Sequence, residues 1–114
     1  MQCFCENMDT EKLKIEGDVD TDPVWCIDCG CNIDIEVVPI SDDLKDELLK
    51  WAMMYGKWID WSKDKLLTNS IELEDNHNKL GCQLTEKVKK ELGTKYKVEF
   101  APSSTARMYA HLNF

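Results

Sequence analysis

Charged and apolar positions alternate in three short stretches of this chain, and apolar positions recur at helical spacing in two longer ones. Lys12 to Glu16 alternates and then meets Gly17 and the acidic run Asp18-Val-Asp-Thr-Asp-Pro23, so it predicts a short strand followed by a turn. Val24 and Trp25 restart the chain toward Cys26. Beyond Gly30, the segment Cys31 to Pro39 sets Ile33, Ile35 and Val37 against Asn32, Asp34 and Glu36, the pattern of a half-buried strand stopped by proline. Ser41 with Asp42 and Asp43 is a helix start, the hydroxyl capping free N–H groups and the carboxylates complementing the dipole. Leu44, Leu48, Trp51, Tyr55 and Trp58 form one stripe on that helix. Gly56 leaves two courses open: the helix runs to about Lys63, or it stops and Lys57 to Trp61 extends.

Residues 64 to 72 read as a connection. A second helix is predicted from about Leu73 through Leu80, Leu84, Val88 and Leu92, with Gly93 as its C-terminal stop. Lys95 to Phe100 alternates as a strand and ends before Pro102, and the tail has a helical preference around Thr105 to Leu112. The expected architecture is α+β: an N-terminal three-stranded ribbon, two main helices and a further strand. At 114 residues the chain is too short for two independent cores. Residues 1–40 are therefore expected to pack with 41–114 as one cooperative unit.

Five of the six cysteines crowd into the segment from Cys3 to Cys31. Zinc is held by four soft ligands at about 2.3 Å, which sets neighbouring sulfurs roughly 3.8 Å apart. Two locally spaced pairs meet that demand when a hairpin joins them. Cys3-Phe-Cys5 is one pair, since residues two apart on an extended segment point the same way. Cys26-Ile-Asp-Cys29-Gly30 is the other, with a glycine that permits a tight turn. Cys31 is a possible substitute for Cys29, and Cys82 reads as a small core residue on the second helix. A site of four cysteines is closed and structural, with no open position for catalysis.

The order Cys-x-Cys, hairpin, Cys-x-x-Cys-Gly, strand resembles the zinc-ribbon superfamily over about the first forty residues. The resemblance implies a zinc ion held by a small three-stranded ribbon. Two other uses of the thiols fit the sequence less well. Disulfides suit an exported protein, but the start Met-Gln-Cys-Phe-Cys-Glu lacks a basic and then apolar leader, so the expectation is a cytoplasmic chain with reduced thiols. Trp25-Cys26-Ile-Asp-Cys29 matches the W-C-x-x-C of thiol redox proteins. Redox chemistry wants a cysteine at a helix N-terminus, whereas here a strand is predicted, and Asp28 is expected to oppose thiolate formation.

Charge then narrows the partner. The net charge is -8, and its distribution is uneven: residues 1–47 carry fourteen acids against three lysines, residues 48–114 eight acids against eleven basic residues. Such a front half repels phosphate, so nucleic acid and anionic membrane are poor partners and a basic protein is a good one. No stretch approaches the roughly eighteen apolar residues of a membrane helix. Nucleic-acid binding through Lys87, Lys89, Lys90, Lys95 and Lys97 is the alternative, supported only by what zinc ribbons commonly do.

Trp51, Trp58 and Trp61, close to Met53 and Met54, exceed what one helix can turn inward, so part of this set is expected at an interface. With Asp18, Asp20 and Asp22 they are the candidate partner-binding residues. His77 reads as a partly buried helix residue with no catalytic companion. The expected function is a small cytoplasmic, zinc-stabilised interaction module, an adaptor, inhibitor or immunity-type binder that turns an acidic face to a protein partner, and not an enzyme.

Overall fold

The computed structural model describes residues 1–63, 65–106 and 108. It is a mixed α+β structure with two helices and two sheets. β1 (Lys12–Ile15), β2 (Val24–Cys26), β3 (Asn32–Ile33) and, from the far end of the chain, β6 (Lys97–Phe100) form one sheet in the order β3-β2-β1-β6. β1 and β2 are antiparallel, with Leu13 opposite Cys26 and Ile15 opposite Val24. β6 lies parallel to β1, Leu13 opposite Val98. The alternation predicted for these strands sets Leu13, Ile15, Val24, Cys26 and Val98 into the core, while Lys14 sits opposite Trp25 on the other face, its ammonium 5.9 Å from the indole centroid.

The strand expected from Cys31 to Pro39 is much shorter. Only Asn32–Ile33 pairs, and Ile35–Val37 forms a 3-10 turn. Two aspartates end the strand: the Asp22 carboxylate accepts from the Ile35 N–H at 3.0 Å, and the Asp34 carboxylate from the Glu36 N–H at 2.9 Å. Side-chain acceptors thus replace a strand partner, the competition that Asx residues offer to regular structure. Ile35 and Val38 still reach the core, but Val37 is turned outward.

α1 (Asp42–Met53) starts where the cap predicts, with the Ser41 hydroxyl accepting from the Leu44 N–H at 3.2 Å. The Glu91 carboxylate accepts from the Ser41 N–H and hydroxyl at 2.6 and 2.9 Å, tying this start to the far end of α2. α1 stops before Gly56, which takes φ +79°, a backbone that favours glycine. Of the two courses open at Gly56 the second is taken: the chain extends in β4 (Ile59–Asp60), which pairs with β5 (Lys65–Leu66) in a small hairpin, β5 lying where a connection was expected. α2 (Ser70–Leu92) begins three residues earlier than the pattern suggests.

Its buried stripe is also different. Ser70, Glu74, His77, Gly81, Leu84, Thr85 and Val88 face inward, while Leu80 lies partly in solvent. The main core gathers Leu13, Ile15, Val24, Leu44, Leu48, Trp51, Leu84, Val88 and Val98. A second, smaller core joins Trp58, Ile59 and Ala106, packed by Tyr55, Leu66 and Leu73. Trp51 and Trp58 are each 1% exposed, so of the tryptophans considered for an interface these two are core residues; Trp61 is 56% exposed. Of the helix expected at 105–112, Thr105, Ala106 and Met108 are helical, and the remaining positions lie outside the described residues.

Candidate metal centre

Two turns at one end of the β1–β2 hairpin carry the cysteines. The first is a tight loop between Gln2 and Asp9, which pair as an isolated antiparallel bridge. Within it the Met8 N–H donates to the Cys5 carbonyl at 2.8 Å and Met8 takes φ 56°. The second joins β2 to β3. There the Gly30 N–H donates to the Cys26 carbonyl at 2.9 Å, the Cys26 N–H to the Cys31 carbonyl at 3.0 Å, and Gly30 takes φ +75°. That backbone favours glycine, and the Cys31 N–H of this turn faces the Cys29 sulfur.

These turns bring the ligand atoms of Cys3, Cys5, Cys26 and Cys29 within 4.8 Å of one another, close enough to hold a metal ion. The Cys5 and Cys26 sulfurs are 3.6 Å apart, near the roughly 3.8 Å edge of a zinc–sulfur tetrahedron. All six cysteines are free thiols. Cys3 and Cys26 are buried, Cys5 is half-buried and Cys29 exposed, so the cluster is closed beneath and open at one corner.

The electrostatics of the cluster suit a cation. The Cys29 thiol is brought down to about 6, first by the Cys31 N–H, with the Phe4 N–H acting the same way. Cys5 is held far above its ordinary value by the Cys3 sulfur first, then by burial and by the Cys26 and Cys29 sulfurs. Burial acts to raise the Cys26 thiol, but the Cys29 N–H and the Thr10 hydroxyl outweigh it and bring it down. A dication held by these sulfurs would stand in place of a thiol proton and offset the repulsion between thiolates.

Cys31 stands beside this set, its thiol pushed up first by burial, with the Cys29 sulfur acting the same way, and packs partly against the core. The expectation that Asp28 opposes thiolate formation differs from the geometry, because backbone N–H groups dominate at Cys29 and Asp28 faces Lys12 at 3.9 Å. Cys26 closes a strand, with no helix N-terminus to activate it for redox chemistry. Cys82 is exposed on α2, not a core residue.

The other candidates lie elsewhere. Asp18 and Asp20 sit in the turn between β1 and β2, at the end of the hairpin opposite the thiols, and line a groove with Trp61. Asp22 is engaged within the fold through Ile35. Val19, Met53 and Tyr55 complete much of that groove; the sequence signals were an apolar residue inside an acidic turn and more apolar positions after Lys50 than one helical stripe can bury. Of the lysines considered for nucleic acid, Lys87 pairs with Glu47, Lys89 with Glu86 and Lys97 with Glu99, at 3.0 to 3.2 Å. The Lys95 ammonium is 5.6 Å from the Tyr96 ring.

No helix among the described residues is long and apolar enough to cross a membrane. Fold and site together define a mixed α+β protein with a four-thiol cluster capable of holding a metal. The Serratia CdiI immunity protein-like family model matches residues 11–103, and the chain belongs to that family. The matched span holds Cys26 and Cys29 and begins after Cys3 and Cys5. No curated protein matches the chain.

Proposed function

We propose that this chain is a zinc-stabilised immunity protein that acts in the cytoplasm by binding a protein toxin through an acidic face. The match to an immunity-protein family over most of the chain carries this reading. A net charge of -8, concentrated in the front half, supports a basic toxin as the partner, because long-range attraction steers such pairs together. Six free thiols suit a reducing compartment.

Zinc is the metal that best fits four sulfurs at these separations, since a soft, redox-inert ion accepts a closed tetrahedral set. When bound, it supplies a cross-link between the Gln2–Asp9 loop and the β2–β3 turn. Cys3, Cys5, Cys26 and Cys29 hold it, and Cys31 supports the Cys29 sulfur. Because Cys3 and Cys26 belong to the same buried cluster as Leu48 and Trp51, the metal-bearing end and the helices are expected to unfold together. The metal is structural and the protein acts by occupancy, with no reaction of its own.

Co-production with a panel of bacterial toxin domains paired with members of this family tests the reading. Restored growth against one toxin, with a salt-sensitive complex of the two proteins, is expected. Failure to protect against any of them, with no complex at low salt, would sink it.

A further inference from the structure

A groove of about 500 Å³ lies beside the acidic turn. It combines two things rarely left together in solvent. Its floor and walls include Met53, Trp61 and Val19, exposed by 72%, 56% and 52%. Its rim carries Asp18 and Asp20. The nearby Glu16 carboxylate is paired, holding Lys14 at 2.6 Å. Among the described residues Asp18 and Asp20 have no ion pair. Burial first, with the Asp18 carboxylate acting the same way, pushes up the Tyr55 phenol in the groove wall.

The groove is also held in shape. Trp61 lies over Gly56, so close that a Cβ at position 56 would stand 3.0 Å from its ring. The Asp60 carboxylate accepts from the Ser62 N–H and hydroxyl at 3.1 and 2.6 Å and fixes the turn that follows Trp61. An indole already in place costs less to use than one ordered on contact.

We propose that this groove receives an arginine-bearing basic segment of the protein partner, its guanidinium held between the Asp18 and Asp20 carboxylates and the Trp61 indole, and its apolar neighbours on Val19 and Met53. The partner's identity as a toxin rests on the immunity reading above; the chemistry of the groove does not. Arginine fits better than lysine because its planar group stacks on an indole, forks to a carboxylate and sheds water more easily. A purely apolar segment would strip water from two unpaired carboxylates with nothing in return. A second copy of this chain, also at -8, is repelled. Because the thiol cluster lies at the other end of the hairpin, the groove and the metal are separable by mutation.

The test uses the full zinc-loaded chain and the peptide acetyl-Leu-Arg-Leu-amide, with its citrulline analogue as an uncharged probe of the same shape. Nitrogen-15 correlation spectra should show shifts at the Trp61 indole N–H and the Val19 and Asp20 amides. Binding should weaken roughly fivefold or more with citrulline or in Asp18→Asn/Asp20→Asn, and be lost in Trp61→Ala. All three positions are exposed, so far-ultraviolet circular dichroism and zinc content should match the parent. Equal binding of the citrulline peptide, shifts centred elsewhere, or no shifts would overturn the proposal.

The toxin neutralised by the parent chain separates the two readings. There the triple variant Asp18→Asn/Asp20→Asn/Trp61→Ala should bind roughly 100-fold more weakly and lose much of its salt dependence. Undiminished affinity would overturn the groove and leave the immunity reading standing. Discrimination between the peptides by a chain that neutralises no toxin would overturn the immunity reading and support the groove.

Discussion

Trp51 and His77 hold α1 to α2 in two ways at once: the Trp51 indole N–H donates to the His77 carbonyl at 2.9 Å, and the two rings stack with centroids 4.5 Å apart. The contact needs the helices close together, and Gly81, one turn on along α2, permits the approach. A Cβ there would fall 2.4 Å from the Phe100 ring and 2.6 Å from the Trp51 ring. Gly81→Ala should therefore cost roughly 2–3 kcal/mol, despite alanine's better helix propensity, because a packed core must move aside. Urea unfolding followed by tryptophan fluorescence measures it; a stabilised Gly81→Ala would refute this close packing.

His77 makes a second prediction. Its imidazole is 1% exposed with an Nδ1 that lacks a hydrogen-bond partner among the described residues, and burial pushes it down to about 4 against the opposing pull of Glu74. In the unfolded chain it titrates near 6.5, so below that pH the unfolded state binds a proton that the folded state refuses. The stability due to the neutral ring is complete above 6.5 and is lost as pH falls toward about 4, by up to about 3 kcal/mol. His77→Leu removes the titration and the orphaned nitrogen. Urea midpoints at about pH 7.5 and about pH 5 should fall less in the variant than in the parent; parallel losses would contradict this.

Glu74 anchors the end of the described chain. Its buried carboxylate accepts from the Ser103 hydroxyl at 2.9 Å and the Ala106 N–H at 2.8 Å, and Thr105 in turn accepts from the Trp58 indole N–H at 2.9 Å. Glu74→Ala strands these donors and should cost about 2–3 kcal/mol. It should also expose the segment around Ser103 to amide exchange ahead of the main core, while Glu74→Gln keeps part of the protection. Unchanged exchange at Ala106 in Glu74→Ala would be inconsistent with the anchor.

Much of this arrangement was readable from local pattern. The Ser41 cap, the alternation at Lys97–Phe100 and the two cysteine pairs each depend on residues close in sequence, and the structure brings Cys3, Cys5, Cys26 and Cys29 together. What escaped depends on distant partners. The parallel pairing of β6 with β1 joins residues more than eighty positions apart. Asp22 and Asp34 end β3 by reaching backbone N–H groups, which an apolar pattern does not register. In α2 the buried face is built on Glu74, His77, Gly81 and Thr85, so following the leucines placed the inward face too close to Leu73 and Leu80. The acidic groove needed the turn of Gly56 to carry Trp61 toward the β1–β2 loop.

The metal-binding reading predicts a clear division among the cysteines. Serine at Cys3, Cys5 or Cys26 should abolish stoichiometric zinc and shift unfolding to markedly lower urea, because structural zinc contributes about 10–16 kcal/mol to folding where it is required. Cys82→Ser should change neither, and Cys31→Ser should keep the ion while weakening it. Zinc retained by Cys26→Ser would contradict the assignment.

Native mass spectrometry of the chain co-produced with the toxin it neutralises is the most direct measurement of the account. The predicted mass is one chain, one toxin and one zinc ion, with both metal and toxin lost on chelation under conditions that leave the toxin folded. A metal-free chain that holds the toxin, or a zinc-loaded chain that holds none, would contradict it.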